Sequence, residues 1–215
     1  MNEVRLHTED FQNWDRLYRT QFFNSLTGFK SLHLVGTADK KGNSNLAIFN
    51  SVFHVGANPP LMGMVIRPST VPRHTLSNII ENDHYTYNHV QLAHLEQAHH
   101  TSAKFQKGES EFKTCGFTEM LTPGFGAPYV KEAAIKIGLT FRERLNVKSN
   151  HTIIMIGEVV EVILPQDIIM EDGFIDLTRA EVLTGSGLDA YLAPQKVKRM
   201  TYARVLNEPS ELKLG

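Results

Sequence analysis

The sequence has a single cysteine, Cys115, among 215 residues. No internal disulfide framework can form, and the count fits a reducing compartment. It also has little excess charge. The 22 basic residues nearly cancel the 23 acidic ones, so there is no electrostatic footprint for DNA, RNA or an anionic membrane. No apolar run approaches the roughly 20 residues of a membrane span. The N-terminal stretch MNEVRLHTEDFQNWDRLYR is charged throughout and has no apolar region of signal-peptide type. A cytoplasmic protein without membrane or nucleic-acid partners is expected.

The catalytic templates are missing too. TPGFGAP and LTGSGLDAY contain G-x-G but not G-x-G-x-x-G after a strand, so a Rossmann nucleotide site has no support. There is no P-loop and no G-x-S-x-G elbow, and Cys115 has no evident partner. Repeats, low-complexity tracts and linkers are lacking as well, which predicts one domain over residues 1–215.

What is present is mostly strand pattern. Phe11, Trp14, Tyr18 and Phe22 recur at helical spacing behind a candidate cap at Thr8, and Gly28 closes that helix. SLHLVGTAD, the turn DKKGN and SNLAIFNSVFHVG then read as a hairpin, with PLMGMVIRP as a third strand. HTLSNIIENDH predicts a short helix and YTYNHV a strand. AAIKIGLTF alternates, HTIIMIGEVVEVILP is a long apolar strand, and MEDGFID is a hairpin turn. Many strands with few helices and no βαβ rhythm predict a barrel or sandwich.

Ten histidines are many. LAHLEQAHHTSA places His94, Glu96, His99 and His100 close together, but adjacent histidines point to different sides of a regular element. No metal-ligand motif is present, and no bound metal is expected. A more informative stretch is RPSTVPRHTLSNI, residues 67–79, with two arginines, a histidine and several hydroxyls at a helix start. Free backbone N–H groups there attract phosphate, and arginine adds charge-assisted donors. A phosphomonoester would use all of them. The alternative is that Thr75 only caps the helix and the arginines face solvent. On the strand LAIFNSVFHVG, the polar Asn50, Ser51 and His54 suit either an exposed face or the polar edge of a planar heterocycle.

The run NSLTGFKSLHLVGTADKKGNSNLAIFNSVFHVGANPPLMGMVIRP, with RHTLSNI and YTYNHV after it, resembles the flavin reductase-like family of FMN-binding split barrels. AHHTSAKF, NHTIIMIGEVVEV, EDGFIDL and GLDAYL extend the resemblance from about Asn24 to Arg204. It implies a mainly β fold, a six-stranded Greek-key split β-barrel with a few flanking helices, assembled as a homodimer. It also implies FMN, with Phe49, Asn50, Ser51 and Val52 along the ring and Arg67, Ser69, Arg73, His74 and Thr75 at the phosphate. His151 matches a histidine near the nicotinamide in related reductases; read without the resemblance, it is a strand-end histidine. The sequence departs from many relatives at Ile48 and His54, where they carry hydroxyl side chains. The implied activity is hydride transfer from NADH or NADPH to FMN, in which the cofactor carries the reactivity. The alternative is a non-catalytic FMN-binding electron carrier or redox-sensing protein, and a haem binder is more distant.

Overall fold

The structure, a computed structural model, describes residues 3–68, 74–106 and 108–212. The N-terminal segment forms two helices rather than the single one expected, α1 (Thr8–Asn13) and α2 (Arg16–Leu26). The division falls at Asp15, whose carboxylate accepts from the backbone N–H of Leu17 at 2.8 Å and of Tyr18 at 3.3 Å, so Asp15 caps a fresh helix. Thr8 is the first helical residue of α1 instead of its cap. The aromatic stripe holds the pair together, with Trp14 against Phe22 at 4.8 Å and Phe11 against Phe23 at 5.1 Å between ring centroids. Gly28 ends α2 at a φ of 82°, a left-handed conformation that costs glycine little.

The main sheet contains β1 (His33–Ala38), β2 (Ser44–Phe49), β3 (Val52–Ala57), β4 (Pro60–Ile66), β5 (His84–His89), β6 (Lys136–Val147) and β7 (Thr152–Ile163). Its spatial order is β2-β1-β5-β6-β7-β4-β3, antiparallel throughout. The first and last strands in this order are consecutive in the chain. The sheet curls but does not close, which is the split barrel expected. Every residue of β1 is buried. Val35 belongs to the cluster inside the barrel, with Tyr87, Leu139 and Met155, whereas Leu34 packs outward with Leu46 and Phe112. β1 is thus covered on both faces although His33 and Thr37 interrupt its apolar sequence. The outer cover comes from α4 (Leu95–His100) and α5 (Glu111–Cys115), while α3 (His74–Asn82) lies across β1 and β2.

One expected strand is two. Residues 44–56, read as continuous, break at Asn50 and Ser51: Phe49 still pairs with His33 on β1, but Val52 pairs with Met64 on β4. The two polar side chains hold the corner. The Ser51 hydroxyl donates to Val65 O at 2.8 Å, the Val65 N–H donates to Ser51 O at 3.2 Å, and the Asn50 amide donates to Gly187 O at 2.9 Å. This break turns the six expected strands into seven. The hairpin of β6 and β7 is also longer than its apolar pattern, because polar residues through Val147 keep pairing. In MEDGFID the turn forms with Gly173 at φ 82°, but pairing stops at an Ile169–Ile175 bridge.

Two histidines stand inside the barrel. His33 and His89 are paired residues of β1 and β5, with ring centroids 4.3 Å apart. Neither Nδ1 atom has a hydrogen-bond partner among the described residues. Burial disfavours the charged ring, pushing His89 down to about 4 and His33 well below the ordinary range, with the neighbouring His89 adding to the latter. Beside them, Tyr85 fits because residue 157 is glycine: a Cβ there would lie 2.0 Å from the Tyr85 hydroxyl.

Candidate functional site

The break at Asn50 and Ser51 opens one wall of a cavity of about 720 Å³. The end of β2 supplies Asn45, Ala47, Ile48 and Phe49, and the end of β4 supplies Val65, Ile66 and Arg67. The first turn of α3 adds His74 and Thr75. Residues 101–106 and Glu111 lie on the α4–α5 side, and Leu32, Leu76, Gly185, Leu188, Ala190 and Tyr191 complete the lining. Thr75 is almost fully buried, and its hydroxyl accepts from the Asn45 amide at 3.2 Å. Its hydroxyl is therefore fixed in the floor of the cavity, one residue inside the helix.

The cationic end has a definite cause. The Arg67 guanidinium donates to Asn24 Oδ1, and the Lys30 ammonium donates to the backbone carbonyl of the same residue at 2.9 Å. Burial, followed by the Arg67 charge, lowers the proton affinity of Lys30. Of the two cations Arg67 lines the cavity, and like charges held this close favour an anion beside them. Opposite in character is Glu111, whose carboxylate accepts from the Leu46 N–H at 3.0 Å. Burial raises its pKa, partly countered by that hydrogen bond and by His74.

Of the residues expected from the sequence, Phe49, Asn50, Ser51, Arg67, His74 and Thr75 meet at this cavity. The donors of Asn50 and Ser51 are engaged by backbone carbonyls, so these side chains shape the wall. Val52 is not among the lining residues; its carbonyl accepts from the Ser31 hydroxyl at 2.6 Å. Ser69 and Arg73 lie outside the described residues. His151 is elsewhere, in a second concavity of about 380 Å³ with Arg144, Asn146, Lys148 and Ile153. His54 is exposed on β3 and does not line the main cavity. Among the described residues no group of three His, Cys, Asp or Glu side chains could hold a metal ion. Instead His94 packs on Phe117 and His100 on Phe105, and His99 Nδ1 lies 2.6 Å from the Tyr191 hydroxyl.

Sequence reasoning missed Lys104, Glu111 and Tyr191 as lining residues. AHHTSAKF, SEF and GLDAYL carried Lys104, Glu111 and Tyr191 only as parts of a resemblance. Their placement at the cavity depends on long-range packing.

Residues 28–174 match the family described as flavin reductase like domain. The chain belongs to that family. A flavin reductase candidate with a split barrel domain from Shewanella frigidimarina NCIMB 400 is 44% identical, with 94% of this chain and 100% of that one covered at a TM-score of 0.90. Nitrilotriacetate monooxygenase component B from Bacillus cereus shares the fold at 18% identity, covering 91% of this chain and 98% of that one, TM-score 0.79. The flavoredoxin of Desulfovibrio vulgaris (Miyazaki F) does so at 22% identity, covering 83% and 92%, TM-score 0.68. No curated protein matches the sequence. Family membership places the chain among the flavin oxidoreductases of split-barrel fold. The cavity suits such a cofactor, because one space combines the apolar Ala47, Ile48 and Phe49 with the Arg67 cation, the His74 imidazole and the Thr75 hydroxyl. Its volume is within the usual range for cofactor sites, about 300–1,000 Å³. Among the described residues no helix is long and apolar enough to cross a membrane.

Proposed function

We propose that the protein is an NAD(P)H:flavin oxidoreductase whose flavin is FMN. The observation that carries this reading is the convergence of the β2–β3 break, Arg67, His74 and Thr75 on one cavity. Bound there, FMN supplies the redox chemistry, accepting hydride from a reduced nicotinamide. The chain's own residues bind and orient. Phe49 and the backbone of Asn50 and Ser51 flank the ring. Arg67, His74 and Thr75, together with Ser69 and Arg73, receive the phosphate, where the start of α3 adds its N–H groups. The amide of Asn50 and hydroxyl of Ser51, already committed to Gly187 and Val65, keep the ring wall fixed and so reduce reorganisation on binding. His151 seats the nicotinamide.

The working unit in this reading is a cytoplasmic homodimer, and the chain 1–215 acts as one domain. Support for a twofold partner comes from the N-terminal helices, which bury no residue in their own chain. They leave Leu17, Leu26 and the following Phe29 about two-thirds exposed or more. Closed twofold dimers are the commonest soluble assembly.

The test is an absorbance scan of the purified protein followed by anaerobic addition of NADH or NADPH. Flavin bands that bleach on addition support the oxidoreductase. Flavin bands that persist with both donors point to a carrier or sensor, and a Soret band would replace the reading with haem binding.

A further inference from the structure

One hydroxyl in the wall of the larger cavity has a partner that can itself supply a proton. Tyr191 lies on the short strand Ala190–Leu192, which pairs with Thr184–Ser186. Its hydroxyl is 2.6 Å from Nδ1 of His99, and the two rings meet edge to face at 5.7 Å. His99, in the last turn of α4, is exposed to solvent. By contrast the wall hydroxyls of Ser51 and Thr101 donate to the backbone carbonyls of Val65 and Ala98, at 2.8 Å in each case. A carbonyl cannot return a proton.

Sheet register sets this phenol beside the corner at Asn50. Tyr191 is directly opposite Gly185, so the two residues share a face. A Cβ on Gly185 would stand 3.7 Å from the Asn50 Cβ and 3.7 Å from Leu32 Cδ1. Opposed Cβ atoms are about 4.5–5.5 Å apart, which places Tyr191 one strand away from that wall. Gly185 puts no side chain between the ring and the corner. Burial, followed by the Asp189 charge, raises the Tyr191 pKa, so the phenol keeps its proton at neutral pH.

We propose that Tyr191 is the proton donor in a second reaction of this cavity, the reduction of an α,β-unsaturated aldehyde or ketone, with His99 as the positioning residue behind it. This rests on the flavin oxidoreductase reading above. Hydride exchange between a nicotinamide and a flavin requires no proton from the protein, so it leaves a phenol–imidazole pair without a task. An activated alkene needs hydride and proton together. Hydride from the reduced cofactor forms a C–H bond at the β-carbon, and the π pair of the alkene moves to the α-carbon. The Tyr191 O–H bond breaks, and its proton forms the second C–H bond there. With Nδ1 protonated, His99 donates to the phenol oxygen, leaving the Tyr191 O–H for the substrate. After transfer that Nδ1 proton passes to the phenolate, and solvent reprotonates the exposed imidazole. The sum is two electrons and two hydrogens added across C=C.

The test uses flavin-loaded protein photoreduced under argon, so that the choice of nicotinamide plays no part. Stopped flow follows reoxidation by trans-cinnamaldehyde and, separately, by ferricyanide, which takes electrons without forming a C–H bond. Wild type should react with both. Tyr191→Phe should lower the ratio of the cinnamaldehyde rate to the ferricyanide rate about a hundredfold or more, the usual share of a general acid. Calorimetric binding of 4-hydroxybenzaldehyde to the oxidised, flavin-loaded protein reads the same phenol without turnover. Its carbonyl would accept the Tyr191 hydrogen bond, so Tyr191→Phe should weaken binding about tenfold. His99→Ala should slow the cinnamaldehyde reaction and regain rate on addition of imidazole; a slowed variant without rescue would overturn the role of His99. Flavin-loaded wild type that reacts with ferricyanide but not with cinnamaldehyde overturns the proposal and leaves the flavin reading standing. An equal rate ratio in wild type and Tyr191→Phe does the same. Protein that binds no flavin overturns both.

Discussion

Acid should destabilise this fold through the two histidines inside the barrel. His89 is held at about 4 by burial, against an ordinary value of 6.5. The folded state therefore binds fewer protons than the unfolded state across this interval. The sign follows: stability is fully present above pH 6.5, falls as the pH drops, and levels off below about 4. At pH 5.3 the unfolded ring is nearly all protonated and the folded one nearly all neutral, so the local slope is roughly 1.2 kcal/mol per pH unit. Integrated from neutral pH to pH 5, His89 alone contributes a loss of about 2 kcal/mol. His33, shifted in the same direction by burial and by His89, adds to it. Glu111 opposes the trend, because a carboxyl raised by burial stabilises at low pH and loses that contribution as the pH rises. The comparison that isolates the histidine is urea denaturation of wild type and His89→Gln at pH 7.5, 6.5, 5.5 and 5. The wild type should lose more stability than the variant on acidification, by roughly 2 kcal/mol at pH 5. Parallel curves for the two proteins would refute the assignment, whatever their absolute stabilities.

Other outcomes follow from the site and the packing. Arg67→Ala should weaken FMN binding about ten- to a hundredfold, the loss of a charge-assisted hydrogen bond, and leave riboflavin affinity unchanged; equal losses for both ligands in fluorescence titrations would make Arg67 structural. His151→Ala should slow anaerobic flavin reduction about ten- to a hundredfold in kcat/KM without loss of FMN, and superimposable stopped-flow traces would remove its role at the nicotinamide. Gly157→Ala should cost about 1–3 kcal/mol, because the new methyl meets the Tyr85 hydroxyl; an unchanged urea midpoint would contradict that packing. Sedimentation should show a flavin-loaded dimer, and a loaded monomer at micromolar concentration would dismiss the twofold assembly.

The alternation of 31–39 and 133–141, the proline bounds of 60–68 and the apolar run of 151–165 were enough to place the strands, because each strand buries at least one face. The short helix at His74 was legible from its turn residues and apolar spacing. The division of 44–56 was not. Asn50 and Ser51 read as polar interruptions of a continuous strand, and only their bonds to Gly187 and Val65, 137 and 14 residues away, reveal a corner. Asp15 was passed over because the aromatic spacing runs straight through it, whereas its cap depends on local backbone geometry. At the site, Arg67, His74 and Thr75 were accessible as a sequence cluster. Glu111 was not, since its place beside β2 arises from α5 packing rather than from any local pattern.

The corner at Asn50 and Ser51 also limits how the cavity can open. It joins the two outermost strands of the sheet, so these are tethered by only two intervening residues. From Phe49 to Val52 such a tether spans at most about 10 Å when fully extended. The seam can hinge, but it cannot gape. Inserting flexible residues between Asn50 and Ser51 would lengthen the leash and convert a latched barrel into one free to unzip along that seam.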